Sequence, residues 1–160
     1  MRVGIGYDIH RLVRGRKLKL GGIVIPSDKG LAGHSDGDAV LHALTDAILG
    51  AAALGDIGDH FSDRDKANAG RDSRDFIRQA LKLASRKGLR VHNADVIIIA
   101  ERPKLSAHKA ALRQAVADLL GVKVERVGIQ AKTNEKLGDI GRARAIAVHA
   151  AVLMKEGGSK

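Results

Sequence analysis

The chain has no cysteine and no tryptophan, and only three other aromatic residues, among 160. Without cysteine there is no disulfide and no thiolate metal centre, so any zinc here must be held by histidine and carboxylate. With aromatics at 2%, the core must be built from Val, Ile, Leu and Ala. The same scarcity removes the stacking platform of single-strand nucleic-acid binders, and no nucleic-acid motif is present. No apolar run approaches the ~20 residues that span a bilayer. The first residues, Met1-Arg2-Val3-Gly4, pass directly into a strand pattern and lack a signal-peptide layout, so a cytoplasmic location is expected.

What is present suits one domain over residues 1–156, with 157–160 as a disordered tail. Hydrophobic residues make up 44%, enough to build a real core. The formal net charge is +10, but it is unevenly spread. Residues 33–65 carry seven acids and one base, leaving 27 bases against 11 acids elsewhere. An acidic, histidine-bearing segment inside a basic chain suits a cation site facing an anionic substrate. It equally suits an exposed acidic loop between solvated basic helices.

The segment 33–46, Gly-His-Ser-Asp-Gly-Asp-Ala-Val-Leu-His-Ala-Leu-Thr-Asp, opens as a polar loop and becomes a helix fading near Gly55. Asp36 or Asp38 can cap that helix, and Val40, Leu41, Leu44 and Ile48 form its apolar face. Asp38, His42 and Asp46 recur every four residues on another face. Residues 2–10 read as a strand in which Asp8 and His10 share one face, about 7 Å apart. Gly4 and Gly6 clear that face for a ligand or another backbone.

The remaining chain reads in order. Residues 11–19 form a basic loop, and 18–20 and 23–25 make strand pieces around Gly21-Gly22 that join the first strand in a hairpin. Residues 28–35 and 56–65 read as loops. Asp72 or Ser73 caps a helix to Lys87. A buried strand covers 91–100, Ser106 caps a helix to Leu120, and strands cover 126–133 and 144–154. This order predicts an α+β domain, a mixed β-sheet with helices packed on one face.

Asp8, His10 and His42 make a two-imidazole, one-carboxylate set that leaves a position open for water or substrate. Asp46, one turn beyond His42, can orient a ligating ring. His34 and Ser35 precede a helix start, where an anion meets the helix dipole. Glu135, near Thr133, is the kind of lone carboxylate that holds magnesium with waters and phosphate oxygens. On the residues alone a zinc hydrolase is a rival, although no general base stands out by spacing. A basic nucleic-acid binder is a second rival.

Five blocks, Asp8-Ile9-His10, Gly33-His34-Ser35-Asp36-Gly37-Asp38, residues 41–47, Gly55-Asp56-Ile57-Gly58 and residues 133–138, resemble the signature blocks of the 2-C-methyl-D-erythritol 2,4-cyclodiphosphate synthase family. The resemblance runs from residue 1 to about 155, with the blocks in order. It implies a cyclising phosphorus–oxygen lyase of non-mevalonate isoprenoid biosynthesis. Such an enzyme converts 4-diphosphocytidyl-2-C-methyl-D-erythritol 2-phosphate to the cyclic 2,4-diphosphate and releases CMP. It implies a homotrimer with active sites between protomers, and no membrane or nucleic-acid partner. Asp8, His10 and His42 then match the ligands of zinc or another divalent transition metal, and Glu135 a ligand of magnesium or manganese on the diphosphate. His34 and Thr133 match positions that stabilise the transition state, and Ser35 a phosphate contact. Asp56, Ile57, Gly58, Phe61, Asp63 and Asp65 match the methylerythritol region. Ala100, Pro103, Lys104, Leu105 and Ser106 match the cytidine pocket, with Lys132 and Arg142 as further substrate contacts. The chain departs from many members in Lys132 and Asn134 beside Thr133, in Asp139, and in Ala143-Arg144-Ala145 after Arg142. Those changes bear on local phosphate contacts and on any isoprenoid-diphosphate site along the trimer axis.

Overall fold

In the computed structural model, residues 1–61 and 70–157 are described. Asp63, Asp65 and the tail residues 158–160 lie outside them. Strand β1 (Arg2–Arg14) runs four residues past the expected end and takes up part of the basic loop. It does so because β4 (Lys29–Leu31), within a stretch expected to be loop, pairs antiparallel with its far end, Leu12 opposite Leu31. The pieces β2 (Leu18–Leu20) and β3 (Ile23–Ile25) pair only with each other, as a separate two-stranded sheet, rather than joining β1. The main sheet has the order β4-β1-β7-β5-β6, with β5 (Leu89–Ile99), β6 (Val127–Lys132) and β7 (Ala145–Glu156). Only β5 and β6 are parallel, so the sheet is mixed, as expected.

Helices α1 (Ala39–Ala51), α3 (Arg74–Arg86) and α4 (Lys109–Leu120) pack over one face. Between α1 and α3 lies the short α2 (Ile57–His60), which replaces part of an expected loop because Asp56 and Asp59 form a reciprocal capping box. Ser106 does not cap α4; a 3-10 turn from Ser106 to His108 precedes it, and Leu105 at its start has no capping side chain. A four-residue α5 (Gly138–Gly141) lies before β7.

The face of β1 that carries Gly4 and Gly6 is the one against the helices. A Cβ on Gly4 would sit 1.9 Å from the Ala47 carbonyl oxygen, and one on Gly6 1.9 Å from that of Ala43. The two glycines therefore admit the backbone of α1, which brings Asp8 and His10 beneath His42. The apolar residues of the same strand point away from the core. Val3 is 67%, Ile5 74%, Tyr7 50% and Ile9 46% exposed. They continue across β7, where Val3 lies opposite Leu153 and Ile5 opposite Ala151. Among the described residues, no helix is long and apolar enough to cross a membrane.

Candidate metal and substrate site

Asp38 organises the start of α1. It is fully buried, and its side chain accepts the N–H of Leu41 at 3.1 Å as the helix cap. Its two oxygens also accept the N–H groups of Gly21 (2.9 Å) and Gly22 (2.7 Å), which ties the β2–β3 turn to the helix. Burial pushes its pKa up, against these three donors. Asp38 thus belongs to the helix start, and its carboxylate oxygens accept from backbone N–H groups rather than from the imidazoles.

Asp8 Oδ2 lies 2.7 Å from His10 Nε2 and 3.1 Å from His42 Nδ1, and those two nitrogens are 3.1 Å apart. The three residues form the sole such metal-capable group among the described residues. Protons elsewhere on the two rings decide what this triangle is. His10 Nδ1 faces the Ala32 carbonyl, which can only accept, so Nδ1 carries hydrogen and Nε2 presents a lone pair. His42 Nε2 faces the hydroxyls of Ser35 and Ser73, each at 3.0 Å. With hydrogen on Nε2, Nδ1 is the second lone pair. Two imidazole lone pairs and a carboxylate oxygen then meet at separations close to the ~3.3 Å edge of a tetrahedral zinc set. The donor set therefore fits a divalent transition metal. Without a metal, a proton can take its place between the rings and Asp8: burial opposes ionisation of Asp8, but hydrogen bonds and charge attraction from the two histidines in their protonated form outweigh it and hold its pKa at about 2. For His10, burial works against protonation and Asp8 in favour of it, with a net upward shift.

Asp46 does not orient His42. Its Oδ1 accepts the Ile57 N–H at 2.7 Å and so fixes the turn that carries Asp56, Ile57 and Gly58. One helical turn from His42 suffices for proximity, but the carboxylate is claimed by the nearer backbone donor. Ser73, fully buried, makes no cap hydrogen bond to α3; Asp72 Oδ1 accepts the Arg74 N–H instead, at 3.0 Å. Phe61 is buried, its ring 4.6 Å from Phe76, which stacks in turn 5.8 Å from His42. His34 is exposed at the loop tip, and its carbonyl accepts from Gly70 N at 2.7 Å. Arg16, which sequence reasoning missed, donates to the carbonyls of Gly33 (2.9 Å) and Ser35 (2.7 Å), one on each side of His34.

A second group gathers where β5 and β6 end. Ala100, Lys104, Leu105, Ser106, Lys132 and Thr133 line one cavity of about 430 Å³, with Glu101 and Lys109. Pro103 lies beside it, after a cis peptide bond, facing a neighbouring cavity with Lys104. Thr133 Oγ1 donates to Glu135 Oε1 at 2.6 Å, and the Asn134 N–H reaches Glu101 Oε2 at 3.3 Å. Glu135 has φ +48°, so the loop turns sharply and leaves the carboxylate exposed. Arg142 is exposed at the end of α5. In the sheet order, β7 and β5 stand between β1, with Asp8 and His10, and β6, with Lys132 and Thr133. Within one chain the residues form two groups.

The sequence pattern of the YgbB family matches residues 1–155. The chain belongs to that family. A Geobacter sulfurreducens relative named 2-C-methyl-D-erythritol 2,4-cyclodiphosphate synthase is 52% identical over 156 residues, covering 98% of this chain and 99% of its own. A solved structure of a 2C-methyl-D-erythritol-2,4-cyclodiphosphate synthase in its CDP-bound form superposes with a TM-score of 0.89 at 41% identity, covering 96% of this chain and all of that one. The bifunctional IspDF of Campylobacter jejuni superposes with a TM-score of 0.93 at 39% identity; this chain matches 97% of itself to 42% of that longer protein. The relatives' shared name and the CDP-bound structure support cyclodiphosphate synthase activity for members of this fold, and the Asp8, His10 and His42 group is consistent with a divalent metal site.

Proposed function

We propose that this protein cyclises 4-diphosphocytidyl-2-C-methyl-D-erythritol 2-phosphate to 2-C-methyl-D-erythritol 2,4-cyclodiphosphate with release of CMP, as a phosphorus–oxygen lyase of the non-mevalonate isoprenoid route. The observation that carries the reading is the convergence of the Asp8, His10 and His42 lone pairs at the foot of a loop presenting Ser35 and His34. An oxygen of the 2-phosphate attacks the β-phosphorus, a new P–O bond closes the ring, and the bond to the α-phosphate breaks, its electrons leaving with CMP. No side chain need remove a proton, because a phosphate monoester is largely ionised at neutral pH. Positioning and charge stabilisation therefore dominate. Asp8, His10 and His42 would hold zinc, and Glu135, set by Thr133, would help hold magnesium or manganese on the diphosphate. Cations bound by these residues would screen the repulsion between two anions and polarise the phosphorus. Ser35 and His34 meet the phosphates, Thr133 and His34 the developing charge, and Asp56 to Gly58 the methylerythritol. Lys104 and Lys132, with Ala100, Leu105 and Ser106, take the cytidine diphosphate end.

A homotrimer with the site between protomers is supported by two features. The exposed face of Val3, Ile5, Tyr7 and Ile9 is an apolar surface that a second copy would cover. The two residue groups stand apart in one chain, so a neighbour's cavity beside the metal group would complete one site. Phosphorus NMR of the purified protein with the cytidyl substrate and magnesium tests the reading. The expected products are the cyclic diphosphate and CMP; an open-chain phosphate product would overturn cyclisation in favour of hydrolysis.

A further inference from the structure

Ser73 is fully buried between two partners of opposite demand. Its Oγ donates to Oδ1 of Asp36, and that oxygen also accepts the Ser73 N–H at 3.3 Å. The other oxygen of Asp36 is 3.1 Å from the ammonium of Lys19. A carboxylate paired with an ammonium only accepts, so the Ser73 hydroxyl points its one hydrogen at Asp36 and donates there. Toward His42 Nε2, 3.0 Å away, Ser73 can then only accept. The ring must carry its hydrogen on Nε2, which leaves Nδ1 bare toward Asp8 and His10.

Ser35 cannot fix this choice. Its hydroxyl is 3.0 Å from the same nitrogen and 3.3 Å from Ser73 Oγ, and it accepts from Gly37 N at 3.2 Å. Its proton remains free to point at Nε2, which would select the opposite ring form. The Ser73–Asp36 pair decides between the two. We propose that Ser73, held by Asp36 and Lys19, is a positioning residue that sets the His42 tautomer and aims Nδ1 at the metal. The inference rests on the reading of Asp8, His10 and His42 as metal ligands. It assigns Asp36 and Ser73 the role that spacing had suggested for Asp46. Groups behind a ligating histidine typically change metal affinity about 10–100-fold when removed.

The test uses the whole chain with zinc removed. Zinc affinity is read by competition with a chromophoric chelator, the His42 ring form by nitrogen NMR of histidine-labelled protein, and folding by thermal unfolding. Wild type is expected to bind one zinc per chain and to show His42 with hydrogen on Nε2. Ser73→Ala is expected to fold, to bind zinc about 10–100-fold more weakly, and to shift the ring toward the Nδ1–H form as Ser35 donates. Asp36→Asn, which keeps Ser73, should move both readouts in the same direction by less. Zinc affinity within about threefold of wild type in both variants, against the 10–100-fold norm, with an unchanged ring spectrum, overturns the proposal. If Ser73→Ala does not fold, Asp36→Asn decides alone by the same two readouts. Wild type that binds no zinc would sink the metal reading, while the ring spectra of the variants would still decide whether Ser73 sets the tautomer.

Discussion

The two halves of the candidate site are built on different principles. The metal half is pinned from below. Asp38 and Ser73 are fully buried, and among the described residues no buried side-chain nitrogen or oxygen lacks a hydrogen-bond partner. Its side chains stand on a strand and a helix whose backbones nearly touch at Gly4 and Gly6. The proposed nucleotide half stands on the end of β6, a 3-10 turn and loops. Lys104, Ser106, Lys132, Thr133 and Glu135 are exposed, and the segments are joined by the Ala100 N–H to the Lys132 carbonyl and by an Asn134–Glu101 contact rather than by a buried polar side chain. The difference fits the two tasks. Metal ligands must hold a fixed geometry, so their supports are buried and satisfied. In the proposed reaction, a charged, departing nucleotide would be served by exposed cations at a strand end and on adaptable loops.

The sharpest way to break this comparison is His42→Ala. The ring stands at the edge of the core, so the fold should persist and zinc and turnover should both be lost, a fall of roughly a thousandfold or more in rate if charge stabilisation carries the chemistry. A variant turning over near the wild-type rate in metal-depleted buffer would remove His42 from the ligand set.

Next in size is the loss of the buried anchor. Asp38→Ala strands the N–H groups of Leu41, Gly21 and Gly22 without acceptors. A lost cap costs about 1 kcal/mol and each stranded buried donor about 1–3, with partial relief by water, so about 2–4 kcal/mol of stability should go. Urea unfolding with an unchanged slope would measure it. An equivalent cut in the nucleotide half should behave differently. Lys132→Ala should leave the unfolding midpoint in place and raise KM for the cytidyl substrate about tenfold, with kcat less affected, if the contact is made equally in ground and transition states. A fall in kcat alone would move Lys132 into the transition-state group with Thr133.

How much of this was legible in the sequence follows the same division. Asp8, His10 and His42 could be found because strand and helix periodicity fix which face a side chain takes, and residues two apart on a strand share one. Asp38 read correctly as a helix start, since capping is local. Asp46 misled because helical spacing gives neighbours but not which neighbour wins, and the Ile57 N–H was the stronger claimant. Ser73 and Asp36 read only as possible caps, because their partnership spans 37 positions. The strand β4 and the last four residues of β1 were missed for a related reason. Lys29–Leu31 has little strand character of its own and exists as a partner to β1. The apolar run of Val3, Ile5, Tyr7 and Ile9 would ordinarily mark the buried side of a strand, and here it is the exposed one.

The smallest expected effect sharpens the border between the halves. Asp72 caps α3 next to Ser73 and pairs with Arg74, contacting its Nε at 2.9 Å. Hydrogen bonding from Arg74, outweighing burial, lowers the Asp72 pKa to about 2, below the ordinary ~3.9 of an unfolded aspartate. A lowered folded-state pKa stabilises above the unfolded value and is lost as the pH falls through the folded one. The contribution should thus be complete above about pH 4 and fade toward pH 2. Because the pair is solvated it should amount to about 0.2–1 kcal/mol. Comparing wild type with Asp72→Asn by denaturant unfolding across that window should show the two curves converging at the acid end. If they instead run parallel, Asp72 acts only as a neutral cap. If Asp72→Asn also weakens zinc, the anchored region extends one residue further toward solvent than Ser73.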